Sequence, residues 1–269
     1  MAENPKDPKI PPPPFPPPTP LIGSTISHYR ILERLGGGGM GVVYKGWDLK
    51  LERYAAVKFL SPHRSGNEAF KRRFAREART ASRLEHPNIC TVFETDETDD
   101  GRLFIAMAFC EGESLKRKIE RGPLPLPQAL GVAAQVASGL AAAHDKGVVH
   151  RDIKPGNVMV AEDGRVKIVD FGIAHLADET RLTRTGDVMG TTAYISPEQF
   201  LSAETDHRAD LWSLGVVLYE MLTGRLPWTN GDEQELINAI VKRPARSIST
   251  LRPGVPQALE RVVARALAK

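Results

Sequence analysis

The stretch from Val148 to Val160 places polar residues between two apolar runs in a way that packing alone does not require. His150, Arg151, Asp152, Lys154 and Asn157 fall within eight positions. Asp152 can accept a hydroxyl proton or orient an attacking oxygen, and Lys154 can neutralise a transferred phosphoryl group. Asn157 offers a hard oxygen suited to magnesium. Thirteen residues further on, Asp170 follows an apolar run and precedes Phe171-Gly172, well placed for a second metal contact. Phosphoryl transfer asks for positioning and charge neutralisation rather than covalent chemistry, and this set supplies both.

A phosphate-holding end lies upstream. Leu35 is followed by Gly36, Gly37, Gly38, Gly39, Met40, Gly41, Val42 and Val43. The pattern continues into a strand, not a helix. That disfavours the dinucleotide-binding version, where a helix N-terminus holds a pyrophosphate. It suits a hairpin whose backbone amides approach phosphate oxygens because no side chains intervene. The next apolar strand, Tyr54–Leu60, carries Lys58 in its interior. A lysine there needs an anionic partner. The partners available are a nucleotide phosphate and Glu77, the only acidic residue between Glu68 and Glu85.

The elements that must position these residues fall into two halves. Tyr29–Leu35, Gly41–Asp48, Tyr54–Leu60, Ile89–Thr95 and Leu103–Met107 read as strands. One helix, Glu68–Leu84, interrupts them, with Phe70, Phe74, Ala78, Ala81 and Leu84 at spacings of three and four. Its basic residues Lys71, Arg72, Arg73, Arg76, Arg79 and Arg83 read as a solvated face. After residue 112 the pattern is helical: a long helix from Pro125 or Pro127 to about Lys146, then Asp206–Thr223, Asp232–Lys242 and Pro256–Ala268. An α+β, bilobal chain is expected, with an N-lobe at 22–107, a hinge at 108–112 and a C-lobe at 113–269. A cleft between lobes is a natural ligand site.

Residues 1–21 are of different material. Pro11–Pro14 and Pro16–Pro18 flank Phe15 and favour an extended polyproline conformation, either a solvated tail or a docking peptide for a domain that binds proline-rich segments. With 41% apolar and 26% charged residues the whole chain has an ordinary globular composition, and a formal charge of +3 over 269 residues does not argue for a nucleic-acid binder. Ala129–Ala143 and Leu211–Leu222 fall short of the roughly 18 apolar residues of a membrane span. No signal pattern opens the chain, so a cytoplasmic location is expected. Cys90 and Cys110 lack metal-type spacing and read as two reduced cysteines.

These motifs, in this order, resemble the eukaryotic-type protein kinase superfamily, and most closely its bacterial serine/threonine members. The resemblance rests on the glycine loop, Ala56-Val57-Lys58, Glu77, His150-Arg151-Asp152, Asn157, Asp170-Phe171-Gly172, Ser196-Pro197-Glu198 and Asp210. It runs from about Tyr29 to the end. It implies ATP with magnesium or manganese. Lys58 would hold the α- and β-phosphates and pair with Glu77. Asp152 would be the base, and Asn157 and Asp170 the metal ligands. Leu35, Val43, Ala56 and Met159 would sandwich the adenine. Met107 would guard the back pocket, and Ala108 and Cys110 would offer backbone groups to the adenine edge. Ala81, Val92, His150 and Phe171 would stack as an internal spine, with Asp210 anchoring its base.

Lys154, and Thr191 in Gly190-Thr191-Thr192-Ala193-Tyr194, resemble serine/threonine rather than tyrosine kinases, so protein serine and threonine hydroxyls are the expected acceptors. Arg151 is suited to a phosphorylated threonine, and Thr183 and Thr185 are the expected autophosphorylation sites, which a kinase dimer would serve. The family's arginine partner of the Glu198 equivalent has no match here, which leaves Glu198 without its buried counter-ion. A pseudokinase scaffold would have lost residues of the Lys58, Asp152 or Asp170 type, and a small-molecule phosphotransferase would lack Ser196-Pro197-Glu198.

Overall fold

The structure, a computed structural model, describes residues 21–38, 41–61, 68–171, 192–201, 205–229 and 231–269. Its first half is an antiparallel sheet. The strands are β1 (Thr25–Ile26), β2 (Tyr29–Gly38), β3 (Gly41–Asp48), β4 (Arg53–Leu60), β5 (Val92–Glu97) and β6 (Leu103–Ala108), in the spatial order β1-β2-β3-β4-β6-β5. β4 is buried from Ala55 to Leu60, as its near-continuous apolar sequence requires of a central strand. Its register sets Lys58 opposite Val43 on one side and Ile105 on the other, and Ala56 opposite Met107. Gly38 faces Gly41 where β2 turns into β3. Gly41 has φ +138°, and a Cβ there would strike the Phe59 carbonyl oxygen, so only glycine fits.

The first helix, α1 (Glu68–Ala81), buries Phe74, Ala78 and Ala81 and leaves Arg72, Arg76 and Arg79 exposed. It stops one turn earlier than its apolar spacing suggests. Leu84 is still buried, but in a tight turn whose N–H bonds to the Ala81 carbonyl at 3.0 Å. Phe74 joins Leu60, Cys90, Leu103, Ile105, Ala56 and Met107 in one apolar cluster between helix and sheet.

Residues 109–112 connect β6 to the helical half. Gly112 has φ +101°, and a Cβ there would strike the Val160 carbonyl oxygen. A small antiparallel sheet follows, β7 (Glu113–Ser114), β8 (Val158–Val160) and β9 (Val166–Ile168), with α2 (Leu115–Glu120) capped by the Ser114 hydroxyl. These short elements, and the single helical turns α4 (Pro197–Phe200) and α7 (Ile248–Leu251), carry too few residues for a periodic signal.

The long helices are α3 (Leu126–His144), α5 (Arg208–Thr223), α6 (Glu233–Lys242) and α8 (Gln257–Ala266). α3 runs further than the apolar stretch that marks it in the sequence. By length and composition it could cross a membrane. Here it buries Ala129, Val132, Val136, Leu140 and Ala143 in the helical core, beside Trp212, Val216 and Tyr219 of α5.

One join ties the two halves beyond the connection. Ile89 bridges Ile168 in parallel, the Cys90 N–H donates to the Ile168 carbonyl at 2.8 Å, and the Ile168 N–H donates to Asn88 at 2.8 Å. The chain entering β5 is thereby fixed to β9, the strand that ends two residues before Asp170. Gly112→Ala should destabilise the fold by about 1–3 kcal/mol, because the backbone there is open only to glycine. A lowered urea midpoint checks this; an unchanged midpoint means that the connection relaxes freely.

Candidate active site

Asp210, with no solvent exposure, organises the loop that carries the polar cluster. Its Oδ2 accepts from the His150 N–H at 2.8 Å and from His144 Nε2 at 2.8 Å, and its Oδ1 accepts from the Arg151 N–H at 2.7 Å. A buried carboxylate thus satisfies two backbone donors that the bend would otherwise orphan. Arg151 sits at φ +65°, an uncommon conformation for a branched chain of that size, held by this carboxylate. His150 is buried and its tautomer follows from its partners. Nδ1 accepts from the Asp152 N–H at 3.2 Å, so Nε2 carries the proton and donates to the Val169 carbonyl at 3.1 Å. The His150 ring meets Phe171 edge-on, with centroids 4.6 Å apart. Ala81, Phe171 and Val92 share the apolar cluster beside it.

Asp152 and its neighbours are locked together. Lys154 Nζ donates to Asp152 Oδ1 at 3.1 Å and to Oδ2 at 2.8 Å. A single 3₁₀ turn, Pro155–Asn157, swings Asn157 back so that its Nδ2 donates to the Asp152 carbonyl at 2.8 Å and to Oδ2 at 3.0 Å. The Val169 N–H donates to the Asn157 carbonyl at 2.9 Å, which sets the approach of Asp170.

Lys58 is 4% exposed and donates to Asp170 Oδ2 at 2.7 Å. This corrects the expected pairing with Glu77. Glu77 lies half-buried on α1 and makes contacts of its own, but no ion pair joins it to Lys58. The physical reason is that the chain leaving β9 brings the Asp170 carboxylate to the lysine, which it satisfies at hydrogen-bond distance. Burial alone would raise the Asp170 pKa. The Lys58 ammonium outweighs it by charge and hydrogen bond, with help from Lys154, and holds the carboxyl below its ordinary value. Asp170 also adopts φ +64°, a conformation costing about 1–3 kcal/mol that persists where surroundings impose it.

The expected adenine-facing residues converge in part. Val43, Ala108 and Cys110 pack against the cluster that contains Ala56 and Met107. Leu35, 42% exposed on β2, and half-buried Met159 on β8 lie outside that cluster. The Ala108 N–H is used, donating to Thr91 at 2.9 Å, while the Cys110 N–H makes no hydrogen bond among the described residues. Gly36 and Gly37 pair with Val43 and Val42. Gly39, Met40, Thr183, Thr185 and Thr191 lie outside the described residues, as does the proline-rich segment.

The donor set suits magnesium better than a metal held wholly by protein. Among the described residues no group of three or more His, Cys, Asp or Glu side chains could cage an ion. Asn157 spends its amide nitrogen on Asp152, which leaves Oδ1 turned outward, and Asp170 Oδ1 accepts no hydrogen bond among the described residues. One carboxylate and one amide oxygen, completed by water and phosphate, is what magnesium takes.

The protein kinase domain family matches residues 29–263. The chain belongs to the protein kinase family. It is 42% identical over 252 residues to the serine/threonine-protein kinase PknD of Mycobacterium tuberculosis, covering 93% of this chain and 38% of that protein. It is 40% identical over 251 residues to the serine/threonine-protein kinase PrkC of Bacillus subtilis, covering 93% and 39%. The crystal structure of the Mycobacterium tuberculosis PknI kinase domain matches with a TM-score of 0.73 and 31% identity, over 91% of this chain and 90% of that one. The chain therefore spans well under half the length of these two curated relatives.

Two features of this kinase fold escaped sequence reasoning. His144 joins Asp210 from the end of α3, sixty-six residues away, with no local signal. Cys90 and Cys110 meet, with sulfurs 3.5 Å apart. The β5–β6 hairpin could have shown this, since Val92 opposite Met107 brings residues two or three further on face to face.

Lys58→Met should move the Asp170 titration to higher pH, because burial then acts without its main counterweight. In the wild type a depressed folded pKa gives stability that is full above the unfolded value of about 3.9 and is lost as pH falls through the folded one. Carbon NMR of the aspartate carboxyls reads the shift. An unmoved titration removes Lys58 as its cause.

Proposed function

We propose that this chain is the catalytic domain, residues 22–269, of a serine/threonine protein kinase that transfers the γ-phosphoryl group of ATP to protein hydroxyls. The observation that carries the reading is the convergence of Asp152, Lys154 and Asn157 by direct hydrogen bonds, with Lys58 and Asp170 held against the same loop. Asp152 orients the acceptor hydroxyl and receives its proton. Its two oxygens are already fixed by Lys154 and Asn157, so the carboxylate faces the acceptor in one orientation rather than many. Lys154 then meets the charge that develops on the transferred group. Lys58 serves the α- and β-phosphates once it leaves Asp170. Asn157 and Asp170 hold magnesium or manganese. The metal, when bound, neutralises phosphate charge.

ATP binds with its adenine between Leu35, Val43, Ala56 and Met159, beside Met107. The unspent Cys110 N–H is the donor for its edge, and the Ala108 carbonyl the acceptor. The glycine loop, Gly36 to Gly41, covers the phosphates. Lys154 and Thr191 mark serine and threonine as acceptors. Arg151 is the counter-ion for a phosphorylated threonine, which makes Thr183 and Thr185 autophosphorylation sites, reached in trans within a dimer.

The experiment is transfer from labelled ATP to a generic protein substrate, with mass mapping of the kinase itself. Asp152→Asn should lower incorporation by about 10²–10⁴-fold, the usual weight of a positioned base. Phosphate should map to Thr183 and Thr185. Equal incorporation by the variant contradicts the catalytic assignment, and phosphate found only outside residues 172–198 contradicts the activation step.

A further inference from the structure

The two cysteines of the chain meet at the edge of the connection between the halves. Cys90 Sγ and Cys110 Sγ are 3.5 Å apart, and both thiols point at one acceptor, the Ala108 carbonyl, at 3.3 and 3.7 Å. Neither is bridged. Their surroundings differ. Cys90 is buried within the apolar cluster, and its backbone is pinned by the bond to Ile168. Cys110 is half-buried, on the connection, and its backbone N–H makes no hydrogen bond among the described residues. The pair is electrostatically unequal as well. The hydrogen bond with Cys90 and the nearby Lys167 ammonium pull the Cys110 thiol down against its burial. The hydrogen bond with Cys110, burial and the Asp170 carboxylate push Cys90 up, and Lys167 offsets them only in part. The reactive thiolate therefore forms on the more accessible sulfur, beside a protonated neighbour in line to resolve it.

We propose that Cys90 and Cys110 form a peroxide-sensitive modification site, whose oxidation to an intramolecular disulfide displaces the backbone at 108–110 and weakens ATP binding. The second half of this statement rests on the reading of Ala108 and Cys110 as the adenine edge. In the first step the Cys110 thiolate attacks one oxygen of hydrogen peroxide. The O–O bond breaks, hydroxide leaves and is protonated to water, and the sulfur, oxidised by two electrons, becomes a sulfenic acid. In the second step the Cys90 sulfur gives up its proton and attacks Cys110 Sγ. The S–S bond forms, the S–O bond breaks, and the departing hydroxide takes that proton as a second water. Two thiols and one peroxide thus become one disulfide and two waters. The sulfurs must close by roughly 1.5 Å to reach the ~2.05 Å bond length. Cys90 is tied to β9, so Cys110 and the connection supply the movement.

The test treats the whole chain with stoichiometric hydrogen peroxide, maps peptides without reduction, and measures the KM for ATP before oxidation, after it, and after dithiothreitol. A Cys90–Cys110 peptide, lighter by two hydrogens, should appear. The KM for ATP should rise about tenfold or more, since an ångström-scale displacement of a positioning element costs up to about 10²-fold, and dithiothreitol should restore it. Cys90→Ser should give no such peptide and should instead leave a Cys110 sulfenic acid that dimedone traps. Oxidation that yields no intramolecular peptide in the wild type overturns the proposal, as does a disulfide that leaves the KM unchanged. The crosslink is read by mass and the kinase reading by ATP use of the reduced protein, so the two fail separately.

Discussion

The contact between Lys58 and Asp170 is the interaction on which the arrangement depends. It joins a central strand of the sheet to a residue two positions beyond β9, across 112 positions of sequence. A buried ion pair is a poor source of stability, since desolvation offsets most of its attraction. Its presence is better explained by what each partner does separately. In the proposed function both charges serve a phosphate site, and each is the other's counter-ion until nucleotide and metal arrive. From Asp170 the order spreads outward through specific bonds. Val169 meets Asn157 and His150, and Ile168 meets Asn88 and Cys90. Moving Asp170 therefore moves both the catalytic loop and the entry to β5.

Asp210 performs the complementary task from below. Its two oxygens hold the backbone of His150 and Arg151, and with it the direction in which Asp152 points. His150 then links that loop to Val169 and Phe171 through a single defined tautomer. Two carboxylates, one at each end of the loop, fix its position, and Asp152 projects between them. The charges of the proposed site are held by backbone donors and by each other rather than by apolar packing.

Much of this was legible in the residues. Gly41–Asp48 was marked to the residue by its glycine and its valine-rich run, and β4 within one position, because central strands are continuous apolar runs. The cluster around Asp152 was legible because polar residues there interrupt two apolar runs. The partner of Lys58 was not. Two carboxylates are available to that lysine, and which one it meets is a matter of conformation, not of sequence spacing. The meeting of Cys90 and Cys110 was hidden for a related reason: it depends on a hairpin register and on the bulge between Val92 and Glu94. Short elements such as α2 and β7 take their shape from the surrounding core, so no local pattern announces them.

The most direct test is a structure of the protein with magnesium and a non-hydrolysable ATP analogue. The account predicts that Lys58 Nζ leaves Asp170, the separation growing from 2.7 Å to beyond the ~4 Å limit of an ion pair. Asp170 and Asn157 should then face the metal, and Lys58 the phosphates. A bound nucleotide with the Lys58–Asp170 pair intact would contradict it.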